Sequence, residues 1–342
     1  MYLKKKIRTE SQRLRRFVTA AVLAAVCVIV LGAAPAAQAT HYTIPENETA
    51  PQPNPSLFGE TTDPAVIQSL IDRSAALLEG QALSWNPDIE RMEGTTMRYY
   101  CDESILVITW KEAINGAAVT FAEVKIADGS QLRRALAGGR YNSGIRQKAT
   151  VMGEEENAVI AFSGDFYDIR SLGITVFQRQ LYRNEPQRVD TAFFTAEGDM
   201  IFSHRGELAG AGEAQAFIEQ NNVLFSVAFG PILVENGELR TETERYPVGE
   251  INAQYSRAVI AQKDHLHYLL MTTGEEGRCW KRMTVNEAGK LIFEKGVQKA
   301  YTLDGGQTAT IAMQGSTVNR VDWDKERTMS DIIYFVSAIP EN

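Results

Sequence analysis

The ten residues YTLDGGQTAT at positions 301–310 continue an apolar approach from Ala300 through Tyr301 and Leu303 that stops at Asp304, Gly305 and Gly306. Such a run reads as a buried strand, and its end as the place where a carboxylate leaves a sheet. Two glycines directly after the carboxylate remove side-chain bulk, so main-chain N–H groups can approach a ligand closely or the chain can take a positive φ. Thr308 and Thr310 then offer hydroxyls on one face of the strand that follows. The same residues also suit an Asp-Gly turn between two strands, and on this stretch alone the two readings stand level.

Outward from this stretch the dominant period is two. From Thr95 onward MRYYCDES, ILVITWKE, AAVTFAEVKIADG and SQLRRALAGG give short β-type runs broken by Asp, Gly and Ser. AVIAFS (158–163), GITVFQ (173–178), DTAFFTAEGDMIF (190–202) and SVAFGPILVENGEL (226–239) keep that rhythm, and RAVIAQKDHLHYLLMTT reads as a hairpin turning at Lys263 and Asp264. Helices are fewer. Asp63-Pro64 supplies an N-cap and a first-turn proline to an amphipathic helix that ends at Gly80, residues 213–221 form a short one, and Thr284 caps another that Gly296 stops. The sum is an α+β fold: a mixed, mostly antiparallel β-sheet core with a few packed helices in a single domain.

The amino terminus is organised differently. Its first 16 residues carry seven Lys and Arg against one Glu, an uncharged apolar run follows, and Ala37-Gln38-Ala39 supplies small residues. This is export architecture, with cleavage expected after Ala39 and a retained membrane anchor as the rival, the basic flank staying cytoplasmic. Residues 1–39 are therefore a signal peptide or anchor, 40–62 a Pro-rich linker unable to form a core, 63–94 a helical segment, and 95–342 the main domain. The protein is expected to be secreted or extracytoplasmic, touching a membrane only through its N-terminal segment.

Formal charge is −8 over the whole chain, and removing the leader's net +6 leaves −14. A body this acidic argues against broad binding to nucleic acid or anionic membrane, so a bound anion needs a local pocket. Cys101 and Cys279 are too few for a disulfide scaffold and read better as free thiols than as a pair. There is no GxSxG elbow, Walker-type phosphate loop, HExxH or CxxC. His265 and His267 alternate along one strand of the hairpin and read as exposed strand residues rather than a zinc site.

A second chemical stretch is SGDFYDIR, 163–170, which follows the apolar run 158–162. Ser163, Gly164, Asp165, Asp168 and Arg170 arrive together at a strand end, flanked by Phe166 and Tyr167. Paired carboxylates beside aromatic rings suit a sugar, the rings stacking on its apolar face while one carboxylate acts as base or nucleophile. An Asp-capped turn with its aromatics in the core is the plainer reading. Asp165 and Asp168 could also ligate a hard cation such as calcium, but the set is incomplete, and no cofactor is required.

AFSGDFYDIR, AFGPILVENGEL, YSRAVIAQ, AYTLDGGQTATIAMQGSTVNR and SDIIYF occur in the order found in the phosphodiester glycosidase family, and the chain resembles that family over about residues 95–338. The resemblance implies an exported α+β domain that cleaves a sugar from a sugar-1-phosphate diester, with phosphate-linked envelope or extracellular glycans as substrate. It makes Asp304 and Asp165 the catalytic candidates, Asp304 the preferred one. Arg257 matches the family's arginine and would grip phosphate in two-pronged fashion, with Gly305 and Gly306 lending backbone donors and Thr308, Thr310 and Asn319 completing the cradle. The family usually has Asn where Ser163 stands, and a third glycine where this chain has Gln307. A member that kept the fold as a phosphoglycan-binding protein without turnover is the alternative.

Overall fold

The computed structural model describes residues 42–241, 246 and 251–341. The leader at 1–39 lies outside these residues. No described helix is long and apolar enough to cross a membrane.

Every strand ladder among the described residues is antiparallel. The largest sheet runs, edge to edge, through Phe58–Thr61, Met97–Cys101, Ile105–Ile114, Ala117–Ile126, His267–Gly274, Arg257–Asp264, Lys299–Leu303, Ile232–Glu235 and Glu238–Leu239. A second sheet orders Ser316–Thr317, Ile311–Met313, Ile160–Ser163, Asp331–Phe335 and Leu132–Leu136. Smaller ladders join Met200–Ser203, Thr191–Thr195 and Val223–Val227, and pair Gly173–Phe177 with Gln180–Glu185. The α+β reading from the sequence holds.

Local chemistry explains the helices. Asp63 accepts from the Ala65 N–H at 2.9 Å and caps Pro64–Arg73. Thr284 and Glu287 form a reciprocal capping box for Val285–Glu294, which buries Val285, Ala288, Leu291 and Ile292. The helix Ala149–Glu155, which the sequence reading did not single out, has no side-chain cap and packs Ala149 and Met152 into the smaller sheet's core.

Two expectations change here. Residues 40–62, read as a linker, are docked from Tyr42 onward: Ile44 and Ala50 are buried against Ala135, Met152 and Ile332, and Phe58–Thr61 is an edge strand. The turns that the prolines impose leave carbonyls facing one arginine, and Arg133 gathers those of Ile44, Pro45 and Glu48. His267, read as exposed, is fully buried and bonded through Nε2 to Glu123 at 3.0 Å, because the strand face it occupies packs beneath Ser84 and Trp85. Its neighbour His265 does lie in solvent.

One of the chain's passages between the two large sheets lies at residues 304–310. Lys299–Leu303 ends in the larger sheet, residues 304–310 form the crossing, and Ile311–Met313 enters the smaller sheet beside Ile160–Ser163. A protein shortened to begin at Pro51 loses Ile44, Ala50 and the carbonyls that Arg133 holds. Urea unfolding should then show a loss of at least ~2 kcal/mol, the worth of one buried isoleucine side chain.

Candidate active site

The two stretches singled out in the sequence meet. The Asp304 N–H donates to the Gly164 carbonyl at 3.3 Å, and the Ser163 N–H to that of Thr310 at 3.2 Å. Ser163 Oγ closes the junction, accepting from the Thr310 N–H at 2.9 Å and donating to the Thr308 carbonyl. Ser163 thus stitches the end of its strand to the crossing.

Beneath the junction lies a buried ion cluster. Arg134 sits between Asp165 and Asp331, 2.8 Å from an oxygen of each, and all three side chains are almost wholly enclosed. Arg134 also donates to the Ser226 carbonyl, Asp165 accepts from the Ala228 N–H at 2.8 Å, and Asp331 accepts from the N–H groups of Asp165 and Phe166 at 3.2 and 3.1 Å. Gly164 has no substitute here, since a Cβ would lie 2.2 Å from the Asp331 carboxylate. Burial, with Asp165 beside it, pushes the Asp331 carboxyl up to about 6 despite the pull of Arg134. Asp165 therefore anchors the loop that carries it; with its oxygens on Arg134 and Ala228 and its side chain 1% exposed, it is not offered to a ligand.

Asp304, only partly buried, is the carboxylate left at the crossing. Thr308 Oγ1 stands 2.7 Å from Asp304 Oδ2 and also 2.7 Å from the Gly305 carbonyl; its single proton serves one at a time. Burial pushes the Asp304 carboxyl above its ordinary range, while Thr308, Arg170 and Arg327 pull the other way. Arg170 is itself pulled down by burial and held up by Asp304 and Asp165, with its guanidinium 4.4 Å from the centre of the Phe229 ring. Arg327 approaches from the solvent side and lies 4.6 Å over the Phe166 ring.

Several assignments from the sequence change. Arg257 is not in this group: its Nε donates to the Met283 carbonyl at 3.0 Å, another nitrogen reaches the Ala253 carbonyl, and burial pulls the guanidinium down to about 10. Asn319 brackets the crossing from behind, accepting from the Ile311 N–H at 2.8 Å and donating to the Ala309 carbonyl at 2.8 Å. Asp168 turns onto Arg146 at 2.8 Å instead of joining Asp165, so the two do not form a cation site. No group of three or more His, Cys, Asp or Glu among the described residues is placed to hold a metal. Phe166 and Tyr167 are buried, which removes them as stacking surfaces for a sugar.

The glycines also act otherwise than expected. A Cβ on Gly305 would lie 2.4 Å from the Ser256 carbonyl, and the Gly306 N–H, at φ 68°, donates to that same carbonyl at 2.8 Å. They let the crossing lie flat on the neighbouring strand, and the Gly306 donor is spent in doing so. Thr310 keeps a buried hydroxyl with no hydrogen-bond partner among the described residues. Gln307 reaches away, its amide donating to the Lys325 carbonyl at 3.1 Å, and its own carbonyl accepts from the Arg327 N–H at 3.4 Å. It ties down the segment that brings Arg327 in.

Arg134, Asp331 and Arg327 are the residues that motif reading passed over. Arg134 inside LRRAL and Asp331 opening DIIYF are charges embedded in apolar strands, which is a signal for a buried pair. Arg327, in a charged surface segment, carries no such signal.

Residues 156–336 match the family model described as phosphodiester glycosidase. The chain belongs to the phosphodiester glycosidase family. Among solved structures it is similar to the catalytic domain of zebrafish N-acetylglucosamine-1-phosphodiester alpha-N-acetylglucosaminidase, auto-inhibited by its pro-peptide, with TM-score 0.54 and 15% identity over 68% of this chain and 83% of that one. It is also similar to a hypothetical protein from Synechocystis, with TM-score 0.52 and 13% identity over 71% of this chain and 64% of that one. At these identities the likeness is one of fold. The SPbeta prophage-derived uncharacterized protein YomE of Bacillus subtilis (strain 168) is 21% identical over 193 residues, covering 55% of this chain but 29% of that protein's length.

Arg134→Met, by leaving two buried carboxylates without their counter-ion, should cost about 3–5 kcal/mol in denaturant melts. Asp304→Asn should do the opposite. A carboxyl whose folded pKa is raised favours the fold below its unfolded value and loses that contribution as pH climbs through the folded one. The Asn variant should melt at or above the parent temperature at pH 7, the gap narrowing as pH is lowered toward 4.

Proposed function

We propose that this family member is an exported hydrolase that releases a sugar from a sugar-1-phosphate diester in cell-envelope or extracellular glycans. The observation that carries the reading is a single carboxylate, Asp304, set at a strand end within the electrostatic reach of two guanidinium groups, Arg170 and Arg327. The anomeric carbon–oxygen bond is the one that breaks. Its leaving group is a phosphate already able to bear the charge, so a second carboxylic acid to protonate it is dispensable. The burden falls on the sugar side, where Asp304 attacks the anomeric carbon or deprotonates the water that does. A base raised by burial is a stronger one. Thr308 aims the carboxylate, and Arg170 and Arg327 stabilise the phosphate as the bond to it breaks.

Export is supported by the basic and apolar leader, and an acidic body with Arg170 and Arg327 set beside Asp304 suits a phosphate-bearing glycan better than nucleic acid. Ser163 and Gln307, the two departures from the family pattern, are both engaged away from the Asp304 carboxylate, since one clips strands together and the other bonds to Lys325. They therefore lend little to a fold without turnover.

The test is release of reducing sugar from a synthetic sugar-1-phosphate diester, followed across pH. Activity should rise as pH climbs through the raised Asp304 pKa, and Asp304→Asn should lower kcat by roughly 10²–10⁴-fold while the protein stays folded. Arg170→Gln should raise KM and move the rising limb to higher pH, because a charge that holds the carboxylate ionised has gone. An Asp304→Asn protein as active as the parent would remove that residue from the reaction, and tight glycan binding without product would favour a binding protein.

A further inference from the structure

Trp323 is 71% exposed, and both it and the next residue have left-handed backbone, at φ 58° and 54°. A bulky aromatic is an outlier in that region, and surface strain of this kind is kept where something depends on it. The neighbouring contacts hold it there. Arg320 clamps Asp324 through two bonds of 2.6 and 2.8 Å, and Asp322 accepts from Ser256 Oγ at 2.6 Å and pairs with Arg282 at 3.3 Å. Arg282 also backs the indole, 5.8 Å from the ring centre, which leaves the other face to solvent.

The segment is fastened to the catalytic crossing. Ser256, which holds Asp322, accepts the Gly306 N–H on its carbonyl, and Lys325 accepts the Gln307 amide. Four residues after the tryptophan comes Arg327, whose charge reaches Asp304. Asp322 and Asp324 are spent on Arg282 and Arg320, and Glu326 on Thr150. Lys325 and Arg327 remain without a carboxylate in bonding contact among the described residues, and so are available to anions.

Resting on the reading of the active site above, we propose that Trp323 is the platform for a further sugar of the substrate, beside the one Asp304 attacks. An open indole face suits the apolar C–H face of a pyranose, and a cationic flank suits the phosphates on either side of it. The substrate is then a polymer of sugar units joined through 1-phosphodiesters, gripped across at least two repeats, not an isolated small diester.

Calorimetry on the full chain carrying Asp304→Asn, so that the ligand is not consumed, decides the matter. The probes are an N-acetylhexosamine 1-phosphate oligomer of six repeats and the single-repeat methyl phosphodiester. Adding Trp323→Ala should weaken binding of the oligomer about tenfold, as truncating an aromatic anchor does, and leave the single repeat unchanged; Trp323→Phe should restore most of the loss. Equal oligomer affinity with and without the indole, or no oligomer binding in either protein, overturns the platform. So does a Trp323→Ala protein whose only change is a dimer becoming a monomer, which would assign the ring to a second copy. Failure of the wild-type protein to release sugar sinks the catalytic reading alone, because the affinity ratio is measured without turnover.

Discussion

The architecture depends on one guanidinium. Arg134 stands between two carboxylates from different parts of the chain, and each brings a backbone with it: Asp331 orders the turn after Ser163, while Asp165 holds the main chain at Ala228. Burying three charges is unfavourable unless they are paired and hydrogen-bonded, and here main-chain N–H groups and a carbonyl add to the ion pairs. The cluster specifies position more than it contributes stability. It fixes where the strand Ile160–Ser163 ends, and with it the floor on which Asp304 lies.

From that floor upward the chemistry separates into holders and actors. Asp165, Asn319, Ser163 and the two glycines are engaged in bringing strands together. Asp304, with Thr308, Arg170 and Arg327 acting on its carboxyl, is the group left over for chemistry. Residues of both kinds carry the same letters in a motif, which is why a list of matched positions overstates the number that can meet a substrate.

Much of the fold was legible because alternation of apolar residues reports a half-buried strand directly, and caps such as Asp63 and Thr284 report helix starts. The convergence of 163–168 with 304–310 was legible only through the family pattern, since nothing local links residues so far apart in sequence. What stayed hidden was allegiance. Arg257 follows a strand order that fits a phosphate ligand, yet carbonyls at Met283 and Ala253 claim it first. Arg327 fits no motif, and Gln307, a departure from the family's glycine, holds its segment through the Lys325 carbonyl and the Arg327 N–H. Composition likewise mistook the prolines at 45–55 for slack chain, when the carbonyls around them are held by Arg133.

The crossing at 304–310 has one more effect. Asp304 belongs to neither sheet: one side of its loop is laid on Ser256 in the larger, the other is stitched to Ser163 in the smaller. With either sheet alone, the loop that carries Asp304 and Thr308 would lose one of its two attachments. The setting of that carboxylate is thus a property of the two sheets joined, not of either one.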